Sequence, residues 1–154
     1  MAYNKYENLL RWSSHKIKLH EKFINNNLTK WKVPRKAIYG CYLGENIGFE
    51  KSGLDSRPVL VVSNELVNNG SGNVVVVPLS KNIKWKDNVK NSKLRYYSHY
   101  VLYKSKYNKL NEDSAIQCED IRVISKSRLG NLICFVEDDD MKEINKRIKY
   151  TLQV

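Results

Sequence analysis

The sequence predicts a mainly β domain of the α+β class: a small β-barrel with a helix at its C-terminus and an extra helix at its N-terminus. Two observations predict it. The β-branched runs Pro58–Ser63 and Val74–Leu79 are set between stretches rich in turn residues, as short strands of a compact sheet are. The first and last segments instead space their apolar residues by three and four, which marks amphipathic helices. The chain has 154 residues. That suits one core, and such a chain buries roughly 68–70% of its unfolded surface without a metal or disulfide to staple it.

The elements follow in order. Tyr3 to about Asn27 reads as a helix with Tyr6, Leu9, Leu10, Ile17 and Ile24 at helical spacing, and Lys5, Arg11, Lys16, Lys18 and Lys22 on much of the rest. It is expected to pack on the domain; contact of a basic helix with RNA or a partner is the other reading. Residues 1–30 thus form a helical extension and 31–154 the barrel domain. Ala37–Leu43 is an apolar strand. Pro58–Ser63 is buried on both faces, and its Pro suits the first strand position. Asn68–Gly72 is turn chemistry with residues fit for positive φ. Val74–Leu79 is a second central strand, neighbour to the first, with Pro78 near its end. Weaker strand signals lie around Tyr97–Tyr103. Ser114–Cys118 is another strand, which Ile121–Ile124 continues, and Gly130–Val136 is a further one. Glu137–Asp140 supply cap and first-turn carboxylates to a last helix striped by Met141, Ile144, Ile148, Thr151 and Leu152, whose cations Lys146, Arg147 and Lys149 lie near its end.

Composition narrows the functional classes. Seven Gly and three Pro exclude collagen and Pro-rich disorder. No apolar run nears the ~18 residues of a membrane span. The polar opening Met1–Lys5 reads as no signal peptide, so the cytoplasm is the expected location. Cys41, Cys118 and Cys134 form no CxxC pair and suit reduced thiols. His15 and His20 stand five apart and His99 stands alone, so no metal or other cofactor is expected. The net charge of +11, from 27 Lys and Arg against 16 Asp and Glu, favours a polyanionic partner.

Between Lys81 and Lys109 nine basic residues face the single acid Asp87. Trp85, Tyr96, Tyr97, Tyr100, Tyr103 and Tyr107 are interleaved. Cations neutralise phosphates and aromatic rings stack unpaired bases, so this stretch is expected to contact single-stranded RNA. Its candidate contact residues are Lys81, Lys84, Trp85, Lys86, Lys90, Lys93 and Arg95. Arg57 stands directly before one buried run, where a guanidinium can grip a phosphate bidentately. Ser80 ends the neighbouring run. Whether the two meet depends on strand geometry.

These residues sit in a recognisable series. Ser56–Asn64 (SRPVLVVSN) resembles the R-P-V-L-V-I-x-N block of the MazF/PemK (Kid) ribonuclease toxins. Arg35–Tyr39, Leu43–Glu50 (LGENIGFE), Val76–Ser80 (VVPLS), Asp113–Ile116, Glu119–Ile124 (EDIRVI) and Lys126–Leu129 are similar to further blocks of that family, in the same order, over roughly 35–152. The resemblance implies an SH3-like barrel, a homodimer, metal-independent cleavage of single-stranded RNA at specific sequences, and a cognate antitoxin that occupies the RNA groove. It places the family's catalytic arginine on Arg57 and its catalytic threonine on Ser80, which keeps the hydroxyl. The later-strand acid falls on Glu119. The basic residue some members carry there is Gln117, which joins the expected RNA-binding set. Glu50 is a second candidate acid. Lys36-Ala37 replaces the usual Gly-Asp/Glu.

Without a metal, RNA is cut most readily by its own 2′-hydroxyl, leaving a 2′,3′-cyclic phosphate and a 5′-hydroxyl. Arg57 is expected to stabilise charge on the phosphoryl oxygens, Ser80 to donate a hydrogen bond, and Glu119 or Glu50 to act as base. Two other classes share the barrel or its surface: a CcdB-like toxin that binds a topoisomerase, and a silent RNA- or antitoxin-binding relative.

Overall fold

The computed structural model describes residues 2–154, with side chains from residue 4; Met1, where the polar opening begins, lies outside the described residues. The elements are α1 (Ala2–Asn26), β1 (Ala37–Cys41), β2 (Arg57–Val61), α2 (Glu65–Asn69), β3 (Asn73–Ser80), β4 (His99–Leu102), β5 (Ser114–Gln117), β6 (Arg122–Ser125), β7 (Leu129–Phe135) and α3 (Asp138–Leu152). All seven strands pair antiparallel in the order β4-β5-β3-β2-β1-β7, with β6 also on β3. The hydrogen-bonded order has β4 and β7 as its ends, so the described pairing is that of a sheet.

Pro78 shapes the centre of this sheet. It has no N–H to give to a ladder. The β2–β3 register runs from Val61↔Val76 to Val59↔Pro78 and stops there, while β3 continues and pairs with β5 through Leu79↔Ile116 and Ser80↔Ala115. Ile121–Ile124 does not prolong β5. A 3₁₀ turn at Cys118–Asp120 intervenes, and β6 returns beside the first half of β3, from Asn73↔Ser125 to Val76↔Arg122.

The β-branched runs are apolar throughout because both faces of the central strands are covered. Val59, Val61, Val74 and Val76 pack with Tyr39, Cys41, Leu43 and Leu129 on one face. Leu60, Val77, Leu79, Ile38 and Ile116 pack on the other, beneath Met141 and Ile144 of α3. The start of α3 is pinned by Asp140, whose carboxylate accepts from Tyr100 Oη at 2.6 Å and from Tyr107 Oη, and pairs with Lys106 at 2.8 Å. Asp138, Asp139 and Asp140 fill its first turn, although Glu137 at the cap position makes no side-chain cap.

Two local expectations are corrected. Asn68–Gly72 is not a turn of positive-φ residues: neither Gly70 nor Gly72 has positive φ. Asn64 accepts from Leu66 N at 2.9 Å and caps a short helix instead. Asn68 is buried, donating to Val33 O at 2.9 Å and accepting from Ser63 Oγ. In α1 the helix is present but its buried face is reversed. Trp12 and Leu19 are buried, whereas Tyr6, Leu10, Ile17 and Ile24 are exposed, Leu10 by 74%, and Leu9 is half-buried. The amphipathic period is legible in the sequence, but α1 carries two apolar stripes. The one that packs carries Trp12, Leu19 and Phe23: Trp12 covers Gly44, where a Cβ would come within 1.9 Å of the indole, and Phe23 covers Gly72. Among the described residues no helix is long and apolar enough to cross a membrane.

Candidate active site

Arg57 opens β2 and Ser80 closes β3. Because the two strands are antiparallel neighbours, both residues lie at the same end of the pair. The register Val59↔Pro78 also fixes their side. Alternation along a strand puts Arg57 on the face of Val59 and Ser80 on the face of Pro78 and Val76, one and the same face. Cys41, opposite Arg57 in β1, belongs to that face's core. Both candidate residues are half-buried. Arg57 Nη2 donates to Ser52 O at 3.3 Å, which anchors the guanidinium against the preceding loop. Ser80 Oγ accepts from Asn82 N at 3.2 Å, leaving its own proton available to a ligand.

The same face continues into β5 and β4. Ser80 is opposite Ala115, and Gln117, two residues on, is opposite His99. His99 is 1% and Gln117 5% exposed. His99 Nε2 lies 2.5 Å from Glu119 Oε1, on the 3₁₀ turn that follows β5. Burial pushes the Glu119 carboxyl up, but hydrogen bonds from His99, its own backbone N–H and Ser98 outweigh it and hold the group at about 2. His99 Nδ1 and Gln117 Oε1 are buried and lack hydrogen-bond partners. Lys51 reaches Asp120 at 3.5 Å. That contact joins the loop anchoring Arg57 to the turn carrying Glu119.

Glu50 is used elsewhere. Its carboxylate accepts from Ile47 N at 3.1 Å inside its own turn, and it is exposed. His99 is the site residue that sequence reasoning misses, because a lone histidine without a metal-ligand spacing marks nothing by itself. The signal for its position is strand alternation, which groups it with Val101 on one face of β4.

The basic stretch after Ser80 forms an arch. Trp85 bridges to Leu94, Arg95 N donates to Lys84 O at 2.9 Å, and Asp87, Asn88 and Asn91 take positive φ at the tip. Lys81, Lys86, Lys90, Lys93 and Arg95 are exposed, with Lys84 and Trp85 half-buried. A cleft of about 540 Å³ gathers Lys81, Trp85, Lys90 and Lys104 against Glu112 and Asp113. It starts at the residue following Ser80. Of the interleaved tyrosines, Tyr96, Tyr97 and Tyr103 are exposed, but Tyr107 is buried and its hydroxyl, like that of Tyr100, is bound to Asp140. Those two rings support α3 and are not free to stack on a base.

Residues 35–152 match the family model described as a PemK-like, MazF-like toxin of type II toxin-antitoxin systems. A relative from Staphylococcus saprophyticus, Endoribonuclease MazF, is 33% identical over 118 residues, which are 77% of this chain and 89% of that protein. The solved structure of MazF from Deinococcus radiodurans is similar at a TM-score of 0.62 and 17% identity, over 80% of this chain and 99% of that one. An endoribonuclease from a mycobacterial species, solved in complex with its cognate antitoxin, is similar at 0.55 and 20% identity, over 80% and 95%. These two likenesses are of fold. All of α1 and the segment up to Pro34 lie outside the family match.

Proposed function

Since the chain belongs to the PemK/MazF family of toxins of type II toxin-antitoxin systems, we propose that it is a toxin endoribonuclease that cleaves single-stranded RNA without a metal. It acts as a homodimer with an SH3-like barrel in each protomer, and a cognate antitoxin neutralises it. The observation that supports this reading is the shared face of Arg57 and Ser80 at one end of the β2–β3 pair, next to a cleft lined by lysines.

The chemistry follows from what those groups can supply. The attacking 2′-oxygen must be held in line with the leaving 5′-oxygen, and negative charge grows on the nonbridging oxygens between them. Arg57 presents a planar fork of donors to that charge. Ser80 donates its hydroxyl proton to a second oxygen. Neither has to reorganise, because each is fixed at a strand end. Glu119 accepts a hydrogen bond from the 2′-hydroxyl and takes up its proton as the new P–O bond forms; the bond from phosphorus to the 5′-oxygen breaks, and that oxygen takes a proton from solvent water to leave as the 5′-hydroxyl. DNA offers no 2′-hydroxyl and stays intact. Lys81, Lys84, Lys86, Lys90, Lys93 and Arg95, with Trp85, hold the strand, and Gln117 supports the base side of the site.

Incubation of the purified protein with RNA in the presence of a chelator tests the reading. Fragments with 2′,3′-cyclic phosphate and 5′-hydroxyl ends are expected. Intact RNA, or 3′-hydroxyl and 5′-phosphate ends, would overturn it.

A further inference from the structure

We infer that His99 is a positioning residue of the cleavage site, holding the Glu119 carboxylate aimed from within the sheet. The inference rests on the assignment of Glu119 made above. Its grounds are geometric. His99 is sealed inside the protein, yet its imidazole reaches the half-exposed carboxylate of Glu119 at 2.5 Å. The pair therefore joins a fixed interior group to a carboxylate at the surface. A Glu side chain has three rotatable bonds, and on a surface turn it samples many positions. A hydrogen bond from a packed ring removes that freedom, which is the condition for a carboxylate to meet a 2′-hydroxyl in one geometry.

The surroundings of the ring show how it is held. Tyr96 packs edge-on against it, with centroids 5.1 Å apart. Gln117 stands directly opposite on β5. The buried Nδ1 of His99 and the buried Oε1 of Gln117 both lack partners. One is a ring nitrogen able to carry a proton, the other an acceptor, and unpaired buried polar atoms are rare and costly. The two atoms are not bonded to each other in this structure; a shift of the Gln117 amide that brings Oε1 to Nδ1–H would satisfy both. That shift would complete a chain Gln117–His99–Glu119 in which the amide fixes the ring; in the structure the ring already meets the carboxylate through Nε2.

The test is a double-mutant cycle read in single-turnover cleavage of RNA. His99→Gln keeps a polar side chain able to donate a hydrogen bond but removes the packed ring; His99→Asn is the second variant, and circular dichroism identifies which of the two is folded. Glu119→Gln is expected to slow cleavage, and the folded His99 variant to slow it by about 10–100-fold with RNA affinity unchanged. If His99 acts through Glu119, the double variant is no slower than Glu119→Gln alone. Losses that multiply in the double variant, or a folded His99 variant with wild-type rate, would overturn the inference while leaving Glu119 in its role. Wild-type cleavage by Glu119→Gln would remove the assignment of Glu119 itself, and the inference with it.

Discussion

At the scale of single residues, what the sequence offers depends on whether a side chain's meaning is local. Arg57 and Ser80 stand beside β-branched runs, so their places at strand ends are readable. Their shared face is not, because it depends on the Val59↔Pro78 register, and a shift of one residue would turn one of them to the other side. His99 gives no signal as a lone histidine, since its partner lies twenty residues away across a strand and a turn. The carboxylates carry a pH prediction. Burial raises Asp140, but Lys106, Tyr100 and Tyr107 outweigh it and hold it low; Glu119 is held at about 2. A group whose pKa is depressed on folding contributes stability above its unfolded value and loses it as pH falls through the folded one. Both contributions are therefore complete above roughly pH 4.5; that of Glu119 is lost as pH falls toward 2, and that of Asp140 as pH falls through its own lowered value. Melting temperatures measured across that range should drop, and Asp140→Asn should flatten the drop. An Asp140→Asn protein with the wild-type slope would contradict the network.

At the scale of elements, the strands are legible and the attachment of α1 is not. Two apolar stripes on one helix give the same period, and only the three-dimensional partners choose between them. Gly44, with φ of 78°, opens the space that Trp12 fills. Lys126, fully buried, donates to Trp31 O at 2.5 Å and so ties the connector after α1 to the sheet. Lys22 donates to Leu129 O at 3.0 Å. Trp12→Ala is expected to cost about 3–5 kcal/mol, as loss of a buried large aromatic does. Ile17→Glu, on the exposed stripe, should stay within about 0.5 kcal/mol. Urea unfolding of both variants checks this. The reverse ranking would restore the face that periodicity alone suggests.

At the scale of the whole molecule, the +11 charge is concentrated to a useful degree in the arch after β3, which borders the Arg57–Ser80 end of the sheet. Composition points to a polyanion, but it does not separate tyrosines facing solvent from tyrosines serving the core. Asp140 makes that division by binding Tyr100 and Tyr107. Replacing Lys84, Lys86, Lys90 and Lys93 with Ala is expected to weaken RNA binding and to flatten the dependence of log affinity on log salt, by roughly 0.7 for each single-strand phosphate that is no longer neutralised. A slope equal to wild type would place the RNA elsewhere on the molecule.

The central claim is that the guanidinium of Arg57 and the hydroxyl of Ser80 act on one phosphate from one end of the β2–β3 pair. The single-turnover rate of RNA cleavage by folded Arg57→Ala measures it most directly. A fall of at least ~10²-fold is predicted, the usual effect of removing one preorganised electrostatic donor. Cleavage by that folded variant at close to the wild-type rate would contradict the account.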